Sequence, residues 1–337
     1  MNLKKYRPDI DGLRFLAVFP VILFHLDISL FKGGFLGVDV FFVISGYLIT
    51  NIIINQLDQK KFSVSKFYLR RARRLLPVLF LVLVLTLILS YIYYFPEEIQ
   101  YLSKTILSVI FFVSNIFFWK TTNYFNDLTQ QSPLLHTWSL SVEEQFYIFY
   151  PILLIFFINF FQKKKIIYIF IIFFICSVLL SSYAVHFHPN ANFFLTPFRT
   201  FELLIGCITA LILNVSKKNY LPNVSITNIL CFCSITILVL SFIFFTKFSL
   251  LPSYLSLLPA FSTAMLIYLL PYSNKKIYYL FSNKVFVGFG KISYSLYLFH
   301  IPLIVFFPIN NNIFNITFFL ICLTIISYLS YKFIETP

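Results

Sequence analysis

Runs of apolar residues close to twenty long recur through almost the whole sequence, and they decide what it can fold into. The candidate runs are 13–31, 35–57, 75–95, 101–119, 139–161, 166–186, 199–214, 226–246, 252–270, 292–309 and 313–333. A helix needs about 20 apolar residues to cross the hydrocarbon core of a bilayer. Of the 337 residues, 59% are hydrophobic and 11% charged, whereas soluble domains carry about 25% charged residues. A water-soluble globule of this size has too much surface to hide so much apolar side chain. Helices are expected rather than a barrel, because lipid offers the backbone no hydrogen-bond partners and no alternating pattern runs through these stretches. The connections are too short for a second, soluble domain. The expected fold is therefore an all-α polytopic integral membrane protein, a single domain over residues 1–337.

Charge sets the expected topology. The chain carries 26 Lys and Arg against 12 Asp and Glu, a formal net charge of +14. In a soluble protein this excess would point to nucleic acid. Here the cations lie in short loops between apolar runs, which is the positive-inside pattern, so no nucleic-acid partner is expected. The same loops suit anionic membrane lipids. Lys4, Lys5, Arg7 and Arg14 put the N-terminus in the cytoplasm, and residues 60–74 follow two spans later. Lys163–Lys165, Lys217–Lys218 and the 275–291 loop belong inside as well. If every run crossed, Lys163–Lys165 and the later basic loops would fall outside. The run 101–119 is the weakest span, since it contains Ser103, Lys104, Ser108, Ser114 and Asn115. The expectation is about ten transmembrane helices, with residues 96–119 re-entrant or interfacial, 120–138 outside and both termini inside.

Polar groups inside a membrane are costly, so each is a functional suspect. His25 and Arg14 are eleven residues apart. On a helix that is three turns plus roughly 20°, so they share a face about 16 Å apart. This suits a general base with a cation at the mouth of its path; a buried structural histidine is the other reading. Arg70 and Arg74, spaced i,i+4 among Arg71 and Arg73, could grip the phosphates of a nucleotide-like donor or could only signal topology. The segment PLLHTWSLSVEEQFY holds His136, Trp138, Glu143 and Glu144. Two adjacent carboxylates cannot share one helix face, so at most one points at a site. That carboxylate could act as acid or base or orient a sugar hydroxyl; a capped helix start is the alternative. Asp39 and Ser45 are weaker candidates, in a glycine-rich run suited to close packing. His300 is a lone histidine near a proline. The five cysteines lie in apolar runs without zinc or disulfide spacing, and no metal or phosphate-loop signature appears.

Five ordered blocks, YRPDIDGLRFLAV, GGFLGVDVFFVISGYLIT, YLRRARRLLP, PLLHTWSLSVEEQFYIFYPILL and ISYSLYLFHIPL, together resemble the membrane-bound acyltransferase family 3. The resemblance runs from Tyr6 to the closing FIETP. It implies a ten-helix core, an acyl-CoA donor (usually acetyl-CoA) arriving from the cytoplasm, and commonly a glycan or glycolipid acceptor on the far side of a bacterial inner membrane. The family's basic-residue-to-histidine pattern falls on Arg14 and His25, and its paired-arginine pattern on Arg70 and Arg74. Arg73 is grouped with them on the donor side. Glu143 or Glu144, with His136 and Trp138, is expected on the acceptor side. Many members add a C-terminal hydrolase-like domain; this chain ends at Pro337, which implies that the later transfer is unnecessary or falls to a separate periplasmic protein. Lipopolysaccharide, capsule, exopolysaccharide, peptidoglycan and lipid-linked intermediates all fit as acceptors. The competing class is a transporter or flippase of a lipid-linked glycan, which would need no acyl donor.

Overall fold

The computed structural model describes residues 6–121, 132–215, 223–309 and 312–336. Lys4, Lys5, Lys217, Lys218 and most of the 120–138 stretch lie outside these. The described residues form helices α1 (Pro8–His25), α2 (Gly37–Asp58), α3 (Val64–Tyr93), α4 (Pro96–Ile110), α5 (Ser114–Thr121), α6 (Thr137–Phe160), α7 (Lys163–Phe187), α8 (Pro189–Phe194), α9 (Thr196–Val215), α10 (Val224–Phe244), α11 (Leu257–Leu269), α12 (Lys275–Ser282), α13 (Lys284–Lys291), α14 (Ser293–Phe306) and α15 (Ile313–Ser330). Eight are long and apolar enough to cross a membrane, alone or with adjoining turns. The segment Lys275–Lys291 with Ser293–Phe306, bent by 50°, makes a ninth if it is one span. Adding α1, which Asp9, Asp11 and Arg14 keep out of a count by composition, gives the expected ten.

Local chemistry sets several helix ends. Asn223, Asn274, Asn283 and Asn312 each accept a backbone N–H at the start of α10, α12, α13 and α15, satisfying donors that the first turn leaves open. The first span starts and ends earlier than hydropathy implies. Pro8 pre-sets the backbone at the entry to α1, and Asp27 at φ 55° ends it. His25 is consequently the last residue of α1 rather than a mid-helix one.

The segment 96–121 does not make a span. At about 1.5 Å per residue, α4 reaches only about 22 Å. The chain then breaks at Phe112, which sits at φ 54°. Tyr101 near the start of α4 meets Thr121 at the end of α5, hydroxyl to hydroxyl at 3.3 Å. The two helices therefore fold back as a hairpin that returns to its own side. Its tip is polar and docked on α6. Gln145 donates to the Phe112 carbonyl at 2.9 Å and to Asn115 Oδ1 at 2.8 Å. The Ser114 and Ser141 hydroxyls meet at 2.7 Å. Non-helical backbone is tolerated at membrane depth where protein groups satisfy it in this way.

Side-chain contacts gather the basic segments at one end of the bundle. Lys163 Nζ lies 2.7 Å from Asp58 at the end of α2 and 3.0 Å from Asn214 near the end of α9. Arg74 of α3 pairs with Glu335 at 3.4 Å. This is the arrangement the charge parity demands.

Helices α2 and α9 pack closely, backbone to backbone. A Cβ on Gly46 would sit 2.0 Å from the Leu203 carbonyl oxygen, and one on Gly206 2.0 Å from that of Val43. Only glycine lets the two backbones approach so closely. This contact fixes α2, which carries Ser45 and Asp39, against the bundle.

Candidate active site

Helices α1, α2, α3, α6 and α14 enclose a cavity of about 260 Å³. Arg14, Arg70, Arg71 and Arg74 line it together with Ser45, Ser139, Glu143, Tyr147 and Tyr297. Much of the remaining wall is apolar, from Phe41, Phe42, Leu48, Ile49 and Phe67. The arginine set follows from helical spacing. With about 100° per residue, Arg70, Arg74 and Arg71 fall near 0°, 40° and 100° around α3, whereas Arg73 falls near 300°. Arg73 accordingly does not line the cavity, while Arg71, not singled out in the sequence, does.

Each cavity arginine has an acceptor within the protein. Arg14 lies 3.8 Å from Asp11, Arg71 lies 3.0 Å from Glu144, and Arg70 donates to Gln56 at 3.3 Å. The Arg71 guanidinium also sits 3.6 Å from the centre of the Tyr147 ring, a cation–π contact that holds it to the wall. Arg74 is 53% exposed, so its charge is presented at the cavity mouth. The adjacent carboxylates separate. Glu143 lines the cavity and accepts the Ser45 hydroxyl at 3.0 Å, whereas Glu144 turns to Arg71.

Beyond Tyr297 lie three imidazoles. Tyr297 packs against His136 at 5.3 Å and His300 at 5.4 Å, centre to centre. His300 lies 5.2 Å from His136 and 5.1 Å from His25. The Tyr297 hydroxyl donates to the His136 carbonyl at 2.9 Å and meets the Ser139 hydroxyl at 2.7 Å. These bonds clasp α14 to the start of α6 and separate the arginine cavity from the histidines. His25 Nδ1 lies 2.9 Å from the Val21 carbonyl. A carbonyl only accepts, so Nδ1 carries the proton and the basic lone pair of the neutral ring is on Nε2. His25 is half-buried, while His136 and His300 are buried. From one end to the other the order is four arginines, Glu143 with Ser45, Tyr297, then His136, His300 and His25.

A family model described as an acyltransferase domain matches residues 7–332. The chain belongs to the membrane-bound acyltransferase family 3. As a member of this family with many apolar helices, it is a multi-pass membrane protein. It is 34% identical over 357 residues to the peptidoglycan O-acetyltransferase OatA of Listeria monocytogenes, covering 99% of this chain and 56% of the relative. It is 34% identical over 362 residues to the O-acetyltransferase OatA of Staphylococcus aureus, covering 100% of this chain and 58% of the relative. The chain thus spans a little over half the length of these curated relatives. No solved structure matches it.

Within this cavity and its surroundings the remaining candidates divide. Arg14, Arg70, Arg74, Glu143 and Ser45 line the cavity, and His25 and His136 stand behind Tyr297. Asp39 and Trp138 lie elsewhere, with Arg199. The Arg199 guanidinium donates to Asp39 at 3.1 Å, to Glu202 at 3.0 Å and to the Phe193 carbonyl at 3.0 Å. It also lies 5.2 Å from the Trp138 ring. Asp39 and Trp138 therefore serve a buried ion cluster rather than the cavity wall. His300 and Tyr297 carry more of the site than the sequence indicated. Their signal was the i,i+3 spacing in SYSLYLFHIP, which puts both on one helix face.

Proposed function

We propose that the chain is an O-acetyltransferase of the bacterial cytoplasmic membrane, with its N-terminus inside. It moves an acetyl group from cytoplasmic acetyl-CoA to a glycan hydroxyl on the far side. The ordered line from exposed arginines to a half-buried histidine carries this reading. Arg74 and Arg70 suit the phosphates of the donor, because guanidinium groups bind phosphate through paired, charge-assisted hydrogen bonds. The apolar walls suit its pantetheine arm. At the other end, His25 Nε2 takes the proton of the acceptor hydroxyl as that oxygen attacks the thioester carbon, or it carries the acyl group briefly itself. Glu143 is placed to hold Ser45 and the polar lining between the two ends.

The name of the Listeria relative favours peptidoglycan as acceptor over lipopolysaccharide. Family membership favours transfer over flipping. The test compares cell-surface glycans with and without the protein by mass spectrometry. Loss of the acetyl increment in cells that express His25→Ala at normal levels is the expected result. Full acetylation with His25→Ala would refute the assignment of His25, and unchanged glycans on deletion would refute the function.

A further inference from the structure

Resting on that reading, we propose that Glu335 is a positioning residue for the donor: it holds the Arg74 guanidinium by its Nε edge, so that the terminal edge receives a phosphate. Glu335 lies in FIETP, the segment that closes the sequence resemblance. A single π-helical turn, Tyr331–Glu335, continues α15 and packs against α3. The Thr336 N–H closes this turn on the Tyr331 carbonyl at 3.0 Å. Such turns are rare, and they often mark functional sites.

The Glu335 side chain is only 3% exposed, and a buried carboxylate needs partners. Arg74 Nε donates to its Oε1 and the Ser295 hydroxyl to its Oε2, both at 3.4 Å. Among the described residues no other group accepts a hydrogen bond from Arg74. The Nε edge is thus occupied, while the terminal nitrogens stay open on a half-exposed side chain. Those coplanar N–H groups form the fork that can take two oxygens of one phosphate. Arg14 and Arg74 line the cavity and Glu335 does not, so the carboxylate reaches a donor through the arginine. Arg14 lies in the field of both Arg74 and Glu335, and the carboxylate offsets the repulsion between the two cations.

Two effects oppose each other at the cavity mouth. A carboxylate near a phosphate site repels the phosphate, but water and salt at the mouth screen that repulsion. A free arginine side chain must give up its rotamer freedom when it binds, whereas a held one has given it up in advance. Holding therefore outweighs repulsion, and loss of the carboxylate weakens the donor's grip.

The test uses the full chain in proteoliposomes, with solubilised peptidoglycan strands as acceptor. Acetyl-CoA is compared with S-acetylpantetheine, a donor without the nucleotide phosphates. Glu335→Met and Glu335→Gln are close to Glu in volume, but only Gln keeps an acceptor for Nε. Glu335→Met raises the KM for acetyl-CoA about fivefold, part of the freedom that a loose arginine forfeits on binding, and leaves kcat unchanged. Glu335→Gln recovers most of that loss. Neither variant changes kcat/KM for S-acetylpantetheine. In an Arg74→Ala background, Glu335→Met adds nothing further, because the two residues act as one unit. An unchanged or lowered KM in the Met variant, an equal loss with both donors, a Gln variant no better than Met, or an additive loss in the Arg74→Ala background would each overturn the proposal. If the Met variant does not fold, Glu335→Leu replaces it in every comparison. Absence of transfer from acetyl-CoA by the wild-type chain would instead sink the function on which the proposal rests.

Discussion

Replacing Arg199 by Met should cost the folded protein about 3–5 kcal/mol, the usual penalty for removing one partner of a buried ion pair. The Arg199, Asp39 and Glu202 side chains are each no more than 3% exposed. Water cannot repair what the guanidinium leaves behind. Asp39 Oδ1 and Glu202 Oε1 each lose a charged donor, and their other oxygens, Asp39 Oδ2 and Glu202 Oε2, are already unpartnered. The Phe193 carbonyl loses its Arg199 bond as well, and the stack beside Trp138 contributes a further ~1 kcal/mol. Asp39→Asn should behave differently. It keeps an oxygen for Arg199 and leaves one cation facing one carboxylate, so its loss should stay within about 1 kcal/mol. Combining Arg199→Met with Asp39→Asn should recover more than about 1 kcal/mol relative to additivity, because the two sites are in contact. The assay is equilibrium unfolding of purified protein in mixed micelles titrated with a denaturing detergent. Equal stability of Arg199→Met and wild type would refute the cluster's structural role. So would Asp39→Asn being as harmful as Arg199→Met. If Asp39→Asn spared stability but raised the acceptor KM, Asp39 would return as an acceptor contact.

Other perturbations separate the remaining assignments. Arg74→Ala should raise the KM for acetyl-CoA on the order of tenfold or more, the worth of one charge-assisted hydrogen bond, while Arg73→Ala should leave it unchanged; equal effects would contradict the helical-face argument. Gly46→Ala should cost about 1–3 kcal/mol by overpacking and lower the folded yield, since its Cβ would meet the Leu203 carbonyl at 2.0 Å. A single cysteine at Lys164 in a cysteine-free background should react with an impermeant maleimide only from the cytoplasmic side; labelling from outside would overturn the ten-span topology.

Much of this architecture is legible in the sequence because the signals are local. Charge parity needs only the positions of the basic loops, and it requires that one run fail to cross; Ser103, Lys104, Ser108, Ser114 and Asn115 mark 101–119 as the weaker span. The pairing of Arg70 with Arg74 is likewise a matter of angle along one helix, but the grouping of Arg73 with them does not hold, since Arg71 lines the cavity in its place. What escaped the sequence is tertiary. Asp39 reads the same whether its partner is a sugar or Arg199, because a buried carboxylate shows no partner in its own segment. His300 looks isolated in its run, and only the folding of α14 against α1 and α6 brings it to His25 and His136. Helix α1 is shorter at its C-terminal end than its apolar run for a different reason. Hydropathy sees the apolar Ile28 and Leu30 but not the left-handed backbone at Asp27 that ends the helix.

The Tyr297 clasp has an electrical consequence. A protein that admits a donor from one face and an acceptor from the other is at risk of becoming a leak. Each charge that crosses a membrane releases about 2.3 kcal/mol per 100 mV, and a deep cavity compresses that drop into the material left at its floor. Here the floor includes one phenol ring, tied to Ser139 and the His136 carbonyl at 2.7 and 2.9 Å. Tyr297 is therefore the insulation between the arginine chamber and the histidines. A small side chain in its place would first be felt as current across the membrane, and only afterwards as a change in turnover.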